Sequence, residues 1–150
     1  KHYFRELLLS GGPRSIIIVP FFNLTPGWNY GVSFGMLSTG RAGIVIGLTG
    51  ALTLFLVVWM WRAEDRVTAA SLGAMIGGAV GNLTDRLRFG AVFDFLDFHA
   101  AGWHWPTFNF ADVSIVMGSV GILLGAFDRP VDTKSAGRTR KPGPGNLLGK

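Results

Sequence analysis

The chain has no cysteine among its 150 residues. That absence excludes a disulfide scaffold, a cysteine nucleophile, a thiolate zinc site and Cys-x-x-Cys redox chemistry. Charge is also scarce, at 15% of residues, where a soluble domain carries nearer a quarter. No Ser-His-Asp grouping, phosphate-binding loop or dinucleotide fingerprint is present. His2, His99 and His104 are the only histidines, and their spacing matches no zinc signature. No metal or other cofactor is expected.

What remains is apolar and rich in glycine. Apolar residues make up 49% of the chain and glycine contributes 22 positions. The mean hydropathy is +0.38. Glycine is more frequent in membrane helices than in soluble ones, and 150 residues suffice for one domain.

The charge-free stretches organise the chain. Ala42 to Trp61 runs for 20 residues without a charge, Val67 to Thr84 for 18 and Val113 to Phe127 for 15. Started at Trp105, the last becomes 23 residues with Asp112 its only charge. A bilayer core needs about 20 helical residues, so three spans are predicted, the third only if Asp112 sits at or inside the membrane edge. A charge there is costly and marks function. Ser15 to Gly40 is also charge-free, but Pro20 and Pro26 interrupt it. Its β-branched Ile16–Phe22 stretch predicts a strand or extended platform at the membrane surface, with a turn at Asn29-Tyr30-Gly31.

Charge placement sets the expected topology. Six of the fourteen basic residues follow Phe127: Arg129, Lys134, Arg138, Arg140, Lys141 and Lys150. Three spans put this tail on the same side as the Arg62–Arg66 loop, and the positive-inside rule makes that side cytoplasmic. The tail suits anchoring to anionic lipid rather than nucleic acid. Ser15–Gly40 and the Asp85–Asp112 loop then face outward. Pairs such as Gly43 and Gly47, Gly73 and Gly77, Gly77 and Gly81, and Gly121 and Gly125 predict close helix contacts.

The chemistry-bearing residues gather in that outer loop. Asp94 lies in Val92-Phe93-Asp94-Phe95-Leu96-Asp97-Phe98, where ionisation is expensive without a partner and its pKa should rise. Asp112 follows Asn109 by three, the spacing of a helix cap and an acidic first turn. Each can be read alone as a turn or cap residue. Together they are two carboxylates at similar depth, able to share a proton and act on one water. Asp85 is expected at a helix C-terminus, the unfavourable end of the dipole, with Arg86 or a neighbouring basic group to compensate it. Asn82 and Arg86 read equally as a structural pair or as donors to substrate carbonyls. Two other classes compete. A transporter subunit would use Asp112 as an ion site, and a structural bundle would use the aspartates only as caps and pairs.

Four blocks resemble lipoprotein signal peptidase, also called signal peptidase II. They are Asn29-Tyr-Gly-Val-Ser-Phe34, Gly81-Asn-Leu-Thr-Asp-Arg86, Val92-Phe-Asp-Phe95 and Phe108-Asn-Phe-Ala-Asp112, and the resemblance covers residues 1 to 127. It implies a mainly α, polytopic membrane fold: a four-helix transmembrane bundle with a small extracytoplasmic β platform and a periplasmic loop. Residues 1–128 would form the membrane-embedded peptidase domain and 129–150 a basic, disordered cytoplasmic tail. The implied enzyme is an aspartyl endopeptidase of the bacterial inner membrane, with its active site facing the periplasmic side. It would work as a monomer among membrane lipids. Its substrate would be a prolipoprotein whose cysteine carries diacylglycerol, cut just before that cysteine. The family's catalytic pair maps onto Asp94 and Asp112, and its supporting polar residues onto Asn29, Asn82, Asp85, Arg86 and Asn109. Lys1 resembles the lysine that follows an aspartate by four in the family's first helix, so that helix is expected to be cut short here.

Overall fold

The computed structural model describes residues 1–12, 14–31 and 42–127. The expected tail at 129–150 and part of the Asn29–Phe34 block lie outside the described residues. Eight elements follow in order: α1 (His2–Leu9), β1 (Ile16–Val19), β2 (Phe22–Asn29), α2 (Ala42–Trp61), α3 (Arg66–Phe89), β3 (Val92–Ala100), β4 (Trp103–His104) and α4 (Phe110–Phe127). The three expected charge-free helices are α2, α3 and α4. The first two are long and apolar enough to cross a membrane, and α4 is a shorter apolar helix. No fourth long helix occurs among the described residues, because α1 has eight residues.

Helix α2 carries no charge from Ala42 to Trp61, and much of it is exposed, including Ile44, Leu48, Leu52, Leu54 and Phe55. A helix apolar all round that is not covered by protein suits a lipid surround. Helix α3 starts where Asp65 accepts a hydrogen bond from the Thr68 amide at 2.7 Å, an N-cap that satisfies one orphan donor. It ends at Gly90, whose φ of 74° is left-handed and whose amide bonds back to the Arg86 carbonyl. Glycine adopts that conformation without a Cβ penalty.

Helices α3 and α4 pack closely through missing side chains. A Cβ at Gly78 would strike the Ala111 carbonyl and lie 2.7 Å from Ile115; one at Gly118 would strike the Ser71 carbonyl, and one at Gly121 the Ser71 hydroxyl. Small residues let helix backbones approach in this way. Of the expected pairs, Gly81, Gly121 and Gly125 do lie against the facing helix, beside Ala111, Ser71 and Val67. Gly43, Gly47, Gly73 and Gly77 meet nothing within 4 Å, because regular spacing marks a face but does not say which face has a partner.

The extracytoplasmic expectation of an extended platform becomes a four-stranded antiparallel sheet in the order β1-β2-β3-β4. Pro26 has no amide hydrogen for the ladder, and the register with β3 shifts between Leu24 and Gly27. The stretch expected as an outer loop contains the longest strand, β3, of which Val92 to Asp97 are all buried. One face of α1 closes over it. Leu8 joins Phe93, Phe95 and Leu96 in a buried cluster, flanked by Phe4, Leu24 and Phe108. The Phe4 ring stacks on Phe95 at 4.6 Å between centroids.

Candidate functional site

The site forms where the C-terminal end of α3 and the start of α4 meet β2 and β3. Its local supports come from ordinary helix and strand chemistry. Asn109 precedes α4 and its Oδ1 accepts from the Ala111 amide at 2.7 Å. In return Asp112 Oδ2 accepts from the Asn109 amide at 2.9 Å. This reciprocal pair resembles a capping box with Asp in the third position, and it fixes the Asp112 carboxylate at the start of the helix.

The same residues reach across the site. Asn82, buried on α3, donates from Nδ2 to Asp112 Oδ1 at 2.7 Å. Asn109 Nδ2 donates to Asp94 Oδ1 at 2.6 Å and to Asn82 Oδ1 at 3.2 Å. Asn29, at the end of β2, donates to Asp94 Oδ2 at 3.1 Å. Its own Oδ1 accepts from the Gly31 amide at 2.8 Å, which closes the expected turn. Asp94 and Asp112 are therefore linked through two asparagine side chains, each of which bonds one carboxylate and the other asparagine.

Asp94 is 1% exposed. Burial pushes its carboxyl above the ordinary value of 3.8. The Asn109 and Asn29 donors oppose that rise, the charge of Asp112 adds to it, and the charge of Lys1 opposes it. Desolvation wins, so Asp94 holds its proton more firmly than a free aspartate. An unpaired carboxylate among Phe93 and Phe95 would be costly, and the two amide donors are what make the position tenable.

One expectation about Asp85 changes. It is not at a helix terminus, because α3 continues to Phe89. Of the basic groups expected to compensate it, the partner is Lys1 and not Arg86. Lys1 Nζ lies 3.0 Å from Asp85 Oδ2 and 2.6 Å from Asn82 Oδ1, and the Phe93 amide also donates to Asp85 at 3.3 Å. Lys1 thus orients the Asn82 carbonyl and leaves the Asn82 amide to face Asp112. The Lys1 contacts span more than eighty positions of sequence, and only the family resemblance drew attention to Lys1.

Arg86 stands one step aside. Its guanidinium lies near Gly31, and its buried Nε has no hydrogen-bond partner among the described residues. Five of the predicted residues, Asp94, Asp112, Asn29, Asn82 and Asn109, share one hydrogen-bonded network. Asp85 joins it through Lys1, and Arg86 borders it near the Asn29–Gly31 turn. Among the described residues no cluster of three or more His, Asp or Glu could hold a metal ion. A groove of about 380 Å³ begins at Asp112 and runs between Trp105, Phe108 and the Val113, Val116 and Met117 side chains of α4.

A second buried carboxylate lies on β3. Asp97, 3% exposed, accepts from Thr25 Oγ1 at 2.9 Å and meets His104 Nδ1 at 2.8 Å. Burial alone would raise its pKa. The hydrogen bonds from His104 and Thr25, with the charges of His104 and His99, reverse the sign and hold it below 3.8.

Known proteins carry the same arrangement of sequence. The chain is 43% identical over 124 residues to the lipoprotein signal peptidase of Methylobacterium sp. (strain 4-46), covering 79% of this chain and 74% of that protein. It is 42% identical over 128 residues to the lipoprotein signal peptidase of Yersinia pestis (strain Pestoides F), covering 79% and 73%. A bacterial membrane enzyme solved by the in meso method at 1.9 Å resolution superposes with a TM-score of 0.68 at 28% identity, over 78% of this chain and 77% of that one. The model of the signal peptidase (SPase) II family matches residues 1–127, and the chain belongs to that family of peptidases.

Proposed function

We propose that this protein is an aspartyl endopeptidase of the bacterial inner membrane, removing the signal peptide from prolipoproteins at a bond just before a diacylglyceryl cysteine. The observation that carries the reading is the linkage of Asp94 to Asp112 through Asn82 and Asn109. Two carboxylates joined by fixed amide donors suit one shared proton and one water. The named relatives, lipoprotein signal peptidases, support the substrate class. The apolar helix surfaces and the groove leading from Asp112 support a lipid-borne substrate.

The ionised carboxylate takes a proton from water as the water oxygen bonds to the scissile carbonyl carbon. The protonated carboxyl gives its proton to the amide nitrogen as the carbon–nitrogen bond breaks. The buried Asp94 is the group that tends to keep the proton. Asn29, Asn82 and Asn109 hold the carboxylates in place, and Arg86 is aimed at substrate backbone carbonyls. Residues 1–128 form the catalytic domain and 129–150 a basic cytoplasmic tail.

The test is cleavage of a diacylglyceryl-modified prolipoprotein in bilayers, with Asp94→Asn and Asp112→Asn beside the parent. Loss of cleavage in both folded variants is expected. Substantial activity in either one rejects the pairing. A transporter-like use of Asp112 would leave Asp94→Asn partly functional.

A further inference from the structure

The two buried carboxylates of β3 are held in the same way. Asp94 pairs in register with Gly27 of β2 but accepts from Asn29, two residues further along. Asp97 pairs in register with Asn23 but accepts from Thr25, again two residues further along. Diagonal neighbours on adjacent strands lie within reach of such side chains. Each carboxylate then takes a second partner from the chain beyond β3. For Asp94 it is Asn109, and for Asp97 it is His104 of β4. Two rungs result, one at the candidate site and one outside it, where no assigned role reaches.

The outer rung lies where the chain turns back toward the site. His104 pairs with His99 across the hairpin, and the two imidazoles stack 4.8 Å apart. Four residues later Phe108 exchanges backbone hydrogen bonds with Leu96, at 2.8 and 3.1 Å. Asn109 follows directly. The segment from His104 to Asn109 is thus tied to β3 at its start by the Asp97–His104 bond and the Trp105 amide on the Phe98 carbonyl at 2.8 Å, and at its end by the Leu96–Phe108 bridge. Because Asp97 is held in its ionised form, His104 Nδ1 carries the hydrogen of that bond.

We propose that Asp97 and His104 are positioning residues for the reaction: their bond sets the path of residues 104–109 and so the aim of the Asn109 amide at Asp94. The inference rests on the proposed peptidase reading. The groups facing Asp97 are Thr25 from β2, His104 from β4 and His99 from its own strand. Those facing Asp94 are Asn29, Asn109, Asp112 and Lys1.

The experiment measures kcat, KM and the pH profile of prolipoprotein cleavage by the full chain in bilayers. The variants are His104→Ala, His104→Asn, His104→Gln and Asp97→Asn. The Asn side chain can present an amide hydrogen near the position of Nδ1, and the longer Gln cannot do so without displacement. His104→Ala should lower kcat about tenfold with KM within twofold, within the range expected for misaligned catalytic groups. With the Asn109 donor loosened, Asp94 loses a bond that favours its charged form. The alkaline limb of the profile should therefore move up by about half a pH unit. His104→Asn should restore most of kcat and the parent limb, while His104→Gln and Asp97→Asn should resemble His104→Ala. Loss of thermal stability without change in kcat or in the alkaline limb overturns the proposal, as does equal behaviour of the Asn and Gln variants. Should His104→Ala fail to fold, the contrast between Asn and Gln still decides. A parent that does not cleave the prolipoprotein overturns the peptidase reading itself, and this inference with it.

Discussion

Helix α2 and strand β3 are both written largely in apolar residues, yet the fold treats them in opposite ways. Much of α2 is exposed, while β3 is buried from Val92 to Asp97 and carries two carboxylates into that interior. A protein in water would hide α2 and keep Asp94 and Asp97 outside. Here the low-dielectric surround is outside and the polar groups are collected inside. The two carboxylates of β3 are each matched with hydrogen-bond partners, as polar groups withdrawn from water require. The difference teaches where this molecule is intolerant: at the few polar atoms of its interior rather than across its large apolar surface.

That contrast can be broken most severely at the carboxylates. Asp94→Asn or Asp112→Asn should reduce cleavage by about 10²- to 10⁴-fold, the range for positioned acid–base groups, in a variant whose thermal unfolding stays cooperative. The next largest effect should follow loss of a donor. Asn109→Ala leaves Asp94 with Asn29 alone and removes the α4 cap. It should cost about 1–3 kcal/mol of stability, read by unfolding in detergent, and lower kcat by at least about tenfold.

The pH dependence should separate the two β3 aspartates. Asp97 has a folded pKa below 3.8, so its contribution is complete above that value and is lost as the pH falls through the folded pKa. Asp94 has a folded pKa above 3.8. Folding therefore favours its protonated form, and this contribution fades as the pH rises from 3.8 through the folded pKa. Thermal midpoints followed from pH 7 downward should drop for the parent in acid and drop less for Asp97→Asn. An identical acid profile for the two would mean that Asp97 is not held ionised.

The smallest effects should come from α2. Leu52→Ala, on an exposed position, should change stability in bilayers by less than about 0.5 kcal/mol. At the covered Gly118, substitution by leucine should cost about 1–3 kcal/mol or more through overpacking. A large loss from Leu52→Ala would mean that a protein partner, not lipid, covers that face.

Much of this contrast is legible in the sequence, and the exceptions have physical reasons. The three long helices follow from charge-free length, a local property. The cap at Asn109 follows from its spacing to Asp112, also local. Strand β3 was expected as loop because Asp94 and Asp97 interrupt an apolar run, and only cross-strand partners reveal that both can be buried. Thr25 and Asn29 are distant in sequence from the aspartates they bond, and His104, seven residues from Asp97, is weighed there as a metal ligand and not as a carboxylate partner. The sequence asks for a basic partner at Asp85 but does not single one out between adjacent Arg86 and others, and Lys1 reaches it from the start of α1. The glycine spacings found the composition of close packing but missed Gly78 and Gly118, whose partners belong to another helix.

Gly78 has a bearing on catalysis as well as on packing. It touches Ala111, and one helical turn onward from it stands Asn82, which bonds the Asp112 that follows Ala111. The separation of α3 and α4 is thus gauged by an absent methyl group beside the two carboxylates proposed to react. Proton transfer is sensitive to displacements far smaller than a carbon–carbon bond. Restoring that methyl would act as a wedge, detuning the site without touching any group that handles a proton.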